Sequence, residues 1–314
     1  MVRILKRVGA AVLLLVSALA VAAIWLIGPG NIGRMALGVG MTYDTAPPQL
    51  PKMADPAILI FSKTNGFRDD ASIKAANVAL EKLARERGWS SYTTENAAVF
   101  NAEQLGKFRA VIWNSVSGDV LTPQQRAAFK AWLEQGGGYV GLHGSGGDPS
   151  YKWRWYVDDL IGTQFIGHTL SPHIQPGRLV VEDRTHPATR GLDAVWIRDD
   201  EWYSFVKSPR AKGYRILISL DEASYSPRER IPLLFDKDLR MGKDHPMVWS
   251  HCVGNGRAIY SALGHESSAY SEPKHLTLIA GAIAWAAGLD GSRCAAEKEL
   301  PATTDPNEAQ AAMQ

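Results

Sequence analysis

The chain alternates short, wholly apolar runs with longer stretches in which apolar residues recur every three or four positions. Ala57–Phe61 reads as a buried strand. Residues 71–87 place Ile73, Ala76, Leu80, Leu83 and Ala84 on one helical face, and Gly88 closes that helix as a C-cap would. A strand follows at Ser90–Thr94, a short polar helix starts at Ala102, and a third strand covers 110–113. Thr122 and Pro123 supply an N-cap and a first-turn proline for a helix over Pro123–Glu134. Residues 138–143 form the fourth strand. Strand and helix alternate throughout this half, which predicts a parallel sheet with right-handed crossovers. The second half is less regular, with a helix at 153–161, strands at 178–182, 214–220, 247–252 and 257–261, and a closing helix at 275–287. The expected fold is one α/β domain over 57–288, an open, mostly parallel sheet flanked by helices, with a β-rich insertion around 166–235.

The N-terminus carries a different pattern. Residues 1–7 include Arg3, Lys6 and Arg7, and 8–27 is an uninterrupted run of twenty apolar or small residues without charge. A helix of that length spans about 30 Å, the hydrocarbon thickness of a bilayer. The run exceeds the usual apolar region of a cleaved signal peptide, so an uncleaved signal anchor is expected, preceded by one basic cytoplasmic start. The basic residues before the span place the folded domain in the periplasm or outside the cell. Residues 28–56 are rich in Gly, Pro and Thr and read as a linker. Residues 289–314 carry few large apolar side chains and read as a disordered tail. Cys252 and Cys294 are expected as free thiols.

The net charge of +2 on 314 residues implies neither nucleic acid nor an anionic surface as partner. Ten tryptophans and ten tyrosines, several beside turn residues (Trp153, Trp155, Tyr156, Trp202, Tyr203), suit either the walls of a cleft for a polar small molecule or ordinary core. No P-loop, no dinucleotide-binding Gly-x-Gly-x-x-Gly and no Gly-x-Ser-x-Gly is present. The stretch Gly141-Leu-His-Gly-Ser145 does match a nucleophile elbow in form, with His143 where a serine or cysteine would sit. That points to proton or metal chemistry rather than acyl transfer.

All eight histidines lie after residue 142. His143 and His265 each follow an apolar strand and are flanked by glycine, the position at which an α/β sheet presents reactive groups. Asp200 and Glu201, beside Trp202 and Tyr203, are expected to turn at least one carboxylate inward. His186 and His245 precede prolines and are expected in surface turns, His275 as a cap or surface group, and His251 packed near the sheet. His168 and His173 stay open between site and surface. A divalent metal is left open as well, since ligand types are present but no His-Glu-x-x-His or Cys-x-x-Cys spacing is.

Seven segments in chain order carry a resemblance: Lys63-Thr-Asn-Gly-Phe-Arg68, Gly136-Gly-Gly-Tyr-Val-Gly-Leu-His-Gly144, Trp153-Arg-Trp-Tyr156 with Leu160-Ile-Gly162, His186-Pro-Ala-Thr-Arg-Gly-Leu192, Asp200-Glu-Trp-Tyr203, His245-Pro-Met-Val-Trp249, and Gly256 to His265. Together they resemble the ThuA-like, trehalose-utilisation family. The resemblance implies a class I glutamine amidotransferase-like, flavodoxin-like sheet from which the amidotransferase cysteine is missing, so no active glutamine amidotransferase. It also implies a link to sugar metabolism, including the handling of 3-keto glycosides. Where family members often carry histidine after the Gly-Phe/Tyr-Arg motif, this chain has Asp69 and Asp70. The expected site has His143 or Glu201 as base and His265 as acid, with Asn65, Arg68, Trp153, His168 and Asp200 binding a carbohydrate. Hydrolysis, elimination or isomerisation of a sugar or keto-sugar would follow. The alternative is a non-catalytic carbohydrate-binding or scaffold protein at the membrane.

Overall fold

The computed structural model describes residues 28–231, 235–292 and 294, with 7, 12–14, 16–18 and 21 before them. Most of the apolar run at 8–27, and the tail beyond Cys294, lie outside the described residues. Among the described residues no helix is long and apolar enough to cross a membrane.

The helices are α1 (Pro29–Leu37), α2 (Asp70–Glu86), α3 (Ala102–Leu105), α4 (Pro123–Glu134) and α5 (Pro273–Ala286). Four strands alternate with them in the first half: β1 (Ala57–Phe61), β2 (Ser90–Thr94), β3 (Ala110–Asn114) and β4 (Gly138–Leu142). The second half holds β5 (Phe165–Gly167), β6 (Gln175–Val181), β7 (Val195–Asp200), β8 (Ser204–Phe205), β9 (Arg215–Asp221), β10 (Arg228–Ile231), β11 (Phe235–Asp238), β12 (Pro246–Val253) and β13 (Gly256–Ser261). Nine strands form one sheet in the order β2-β1-β3-β4-β13-β12-β9-β6-β7, while β10–β11 and β5–β8 are separate ribbons.

The first five strands in that order are mutually parallel. The next four pairings are all antiparallel. Since strand sense flips at each antiparallel step, β9 and β7 point the same way as the parallel core. The carboxyl ends of β4, β13 and β7 therefore open on one side, where ligands of α/β sheets collect.

Local chemistry explains these elements. Every residue of β1, β3 and β4 is buried, as expected for central strands covered on both faces. The Asp69 carboxylate accepts from the amides of Ala71 and Ser72 to cap α2, and Thr122 and Gln125 form a reciprocal capping box on α4. In β6 the burial alternates, so this strand covers one face only. That is why much of the β-rich insertion extends the main sheet rather than forming a layer of its own. Trp113 stacks on Tyr156 and Phe129, and Trp153 stacks on Tyr156. This aromatic run is core.

Segment 28–56 is held to the domain at several points. Arg34 Nε donates to the Gly66 carbonyl at 2.8 Å, Lys63 pairs with Asp44, and Gln104 and Gln125 donate to the carbonyls of Pro48 and Asp44.

Two expectations are corrected. Cys252 and Cys294, expected as thiols, form a disulfide with Cα atoms 5.7 Å apart, because the chain beyond α5 turns back alongside β12. The bond closes a loop of 42 residues, so reduction, or Cys294→Ser, should lower the unfolding free energy by about 2–4 kcal/mol. Urea melts with and without reductant measure this, and coincident curves would refute it.

His186, His245 and His275, expected at the surface, are at most 1% exposed. A His-Pro pair marks a turn but not which way the ring faces. His186 Nδ1 accepts from the Ala188 amide while its ring packs on Trp285. Burial, reinforced by the Arg215 charge, pushes His186 down to about 4 from an ordinary 6.5. The unfolded chain thus takes up a proton that the folded one refuses. Stability is complete above pH 6.5 and declines as pH falls toward about 4, by at most about 3 kcal/mol. His186→Asn, which keeps an acceptor for Ala188, should flatten that decline in denaturation midpoints taken between pH 7 and 5.

Candidate functional site

His143 is the first residue past β4 and holds a left-handed φ of +41°. Such a backbone is rare for a side chain with a Cβ and persists only where surroundings enforce it. Here Tyr260 Oη donates to the His143 carbonyl at 2.8 Å, and a Cβ on Gly146 would lie 2.4 Å from the Tyr260 ring. The glycine lets that tyrosine reach under the elbow. The elbow geometry anticipated from the sequence is present, with an imidazole at its apex.

The imidazole is fixed on both nitrogens. His143 Nδ1 donates to the Ala262 carbonyl at 2.9 Å, which directs Nε2 into the site. Within 3.1 Å of Nε2 lie Glu201 Oε2, His265 Nδ1 and Tyr203 Oη. The Tyr203 ring stacks on His143 with centroids 4.5 Å apart. The other carboxylate oxygen, Glu201 Oε1, meets His168 Nδ1 at 3.0 Å and the Nε2 of His173. One carboxylate is thus surrounded by four histidines.

Three separate strand ends supply these groups. Glu201 follows β7, His143 follows β4, and His265 comes four residues after β13. Asp200 ties two of them together, with Oδ2 accepting from the Gly264 amide at 2.9 Å and Oδ1 from the His265 amide at 3.1 Å. Arg198 lies 3.3 Å from the same carboxylate, which is wholly buried. Gly264 has a φ of +103°, and a Cβ there would sit 2.9 Å from His275 Nε2 and Tyr270 Oη. Only glycine suits that position.

Burial opposes charge throughout the cluster, and Glu201 decides the outcome. For Glu201 itself, burial favours the neutral acid, but hydrogen bonds from His143 and His173 and the charges of His143 and His168 hold it well below the usual carboxylate range. Burial pulls His143 down, yet the bond to Glu201 and its charge leave it above the ordinary value. The Glu201 hydrogen bond likewise raises His173. Burial lowers His168 and His265. The cluster therefore sets imidazoles whose charged form is favoured beside others whose neutral form is favoured, around one carboxylate, an arrangement suited to acid–base chemistry.

Access differs among the members. The side chains of His143 and Glu201 are 4% exposed, those of His265, His168 and His173 15%, 24% and 41%. The inner members are walled in and the outer two face solvent. A cavity of about 310 Å³ opens beside His168, lined by Phe165, Gly167, Leu170, Glu229 and Lys237. Two groups bring three ligand atoms close enough to hold a metal ion, His143–Glu201–His265 and His168–His173–Glu201.

The residues expected from the sequence divide accordingly. His143, Glu201, His265 and His168 converge, while Asp200 stands behind them as a buried clamp. Asn65 is 3% exposed and its amide bonds the main chain of Thr42 and Asp119. Arg68 bonds Asp70 and Glu95, and Trp153 packs against Trp155 and Phe129 with Arg126 over its face. None of these three joins the histidines. His173 and Tyr203 complete the cluster although neither was singled out for it. Tyr203 stands two residues after Glu201, and that adjacency, with His173 left open between site and surface, is the signal the chain offered.

The ThuA family, described as trehalose utilisation, matches residues 57–286. The chain belongs to the ThuA family. A ThuA-like protein of Bacteroides uniformis is 28% identical over 77% of this chain and 95% of its own, with a TM-score of 0.62. A second, from Parabacteroides merdae, is 17% identical over 79% and 94%, with a TM-score of 0.57, and shows the shared fold. No curated protein matches by sequence. The family match covers every strand of the main sheet and all six members of the cluster, so the cluster lies wholly within the ThuA domain.

Proposed function

We propose that this ThuA protein is an enzyme that acts on a sugar or keto-sugar by proton transfer within the histidine–glutamate cluster. The observation that carries the reading is that one buried carboxylate, Glu201, touches four imidazoles at the carboxyl ends of the sheet. A keto group acidifies the adjoining C–H, so a base and an acid suffice without a covalent nucleophile.

The differing access assigns the roles. His168 Nδ1 faces two acceptors, the Thr169 carbonyl at 2.9 Å and Glu201 Oε1. It must carry a hydrogen there, which leaves the lone pair on Nε2 as the base. His173, whose charged form the Glu201 hydrogen bond favours, is the acid for a leaving glycosidic oxygen or, in an isomerisation, for the neighbouring carbon. His143 and His265 stand behind, where negative charge develops on the former keto oxygen. In this assignment Glu201, held well below the usual carboxylate range by its histidines, anchors the imidazoles rather than serving as the base. The cavity beside His168 has the volume of a small ligand site and an apolar wall suited to a sugar face.

We place the domain outside the cytoplasm, held by the apolar run at 8–27 as a signal anchor. The Cys252–Cys294 bond supports that placement, since structural disulfides persist in oxidising compartments. The test is a panel of glycosides and keto-glycosides scored by thermal shift and then by product analysis. Ligands that raise the melting temperature and are converted support an enzyme. Saturable binding without product would replace this reading with that of a carbohydrate-binding protein.

A further inference from the structure

The two halves of the cluster differ in their lone pairs. His143 Nδ1 is committed as a donor to the Ala262 carbonyl, so the hydrogen Nε2 directs at Glu201 Oε2 is the one an incoming ion would displace, leaving the Nε2 lone pair to the metal. Glu201 Oε2 is an acceptor, and His265 Nδ1 lies beside both. The three edges of this triangle are 3.1, 3.1 and 3.4 Å. A tetrahedral ion with bonds of about 2.0–2.2 Å holds its ligand atoms about 3.3–3.6 Å apart. On the other side, Nδ1 of His168 carries its hydrogen toward Thr169 and Glu201 Oε1, and so has no electron pair to give. The inner triangle is a ligand set and the outer one is not.

From this we infer a mononuclear divalent-metal centre on His143 Nε2, His265 Nδ1 and Glu201 Oε2, taking zinc or another borderline first-row ion and leaving an outward position for a substrate oxygen. Two imidazoles and one carboxylate form a donor set that such ions favour. The surroundings are those of an oriented site. Ala262 fixes the His143 tautomer, Tyr260 holds the His143 carbonyl, and Asp200 clamps the amide of His265. A bound ion would polarise a sugar carbonyl or hydroxyl. The centre goes beyond the sugar reading and stands or falls separately from it.

The experiment uses the full-length protein, loaded with zinc, dialysed and assayed for bound metal, with cobalt as a spectroscopic probe in parallel. About one ion per chain is expected, not two, with the intense visible bands of a four- or five-coordinate cobalt centre. His143→Asn, His265→Asn and Glu201→Gln should each lose the metal, whereas His173→Asn should retain it. Circular dichroism shows which variants are folded, and the wild-type cobalt spectrum serves if some are not. Less than about one-tenth of an ion per chain with zinc, cobalt and manganese alike, or undiminished binding in the folded His143 and His265 variants, would overturn the assignment. Keto-sugar turnover that survives chelation would remove the metal and leave the proton-transfer reading intact. Bound metal without turnover would do the reverse.

Discussion

Asp200→Ala should destabilise the fold by about 3–4 kcal/mol, the cost of removing one partner from a buried charge pair. The carboxylate is wholly buried and faces Arg198, itself 8% exposed. It also accepts from the amides of Glu201, Gly264 and His265. Alanine would orphan three amide donors and take one carboxylate from the Arg198 guanidinium, which keeps Glu272 and His275. Asparagine should rescue only part of the loss, because its amide nitrogen would be turned against an N–H. Urea unfolding at pH 7 measures both variants. A cost below about 1 kcal/mol for alanine would show that the clamp is not what joins the end of β7 to the loop after β13.

Glu201→Gln should lower turnover of a keto-glycoside by about a thousandfold, within the range that positioned acid–base groups supply. Glutamine matches glutamate in size but cannot accept from all four imidazoles or carry the charge that favours the protonated form of His173. The loss should fall on kcat, with KM changed little, because Glu201 is 4% exposed and contacts the substrate only through the histidines. A merely structural role would instead show as a fall in melting temperature with kcat preserved in the folded fraction.

The elements in which local chemistry and burial agree were legible in the chain. The strand at Ala57–Phe61 and the helix at Pro123–Glu134 are where pattern and caps placed them. So was His143, because glycines on either side of a strand-end histidine mark a sharp turn that holds the ring at the sheet's edge. β7 was not, since Val195–Asp200 mixes apolar with charged residues and ends in two acids; an inward carboxylate was expected there, and Arg198 with the amides of Gly264 and His265 is what holds Asp200 inside. The cluster as a unit was hidden for a related reason. Its members sit on loops after different strands, so no fixed spacing links 143, 168, 173, 201 and 265. Convergence follows from strand direction, which places the ends of β4, β13 and β7 on one side of the sheet. The disulfide escaped because sequence placed Cys294 past the last helix and could not show the chain turning back.

Product analysis on a keto-glycoside, with wild type and Glu201→Gln side by side at equal folded concentration, tests the central claim most directly. The account predicts a new sugar product from the wild type and about a thousandfold less from the variant. Equal product from both would contradict it.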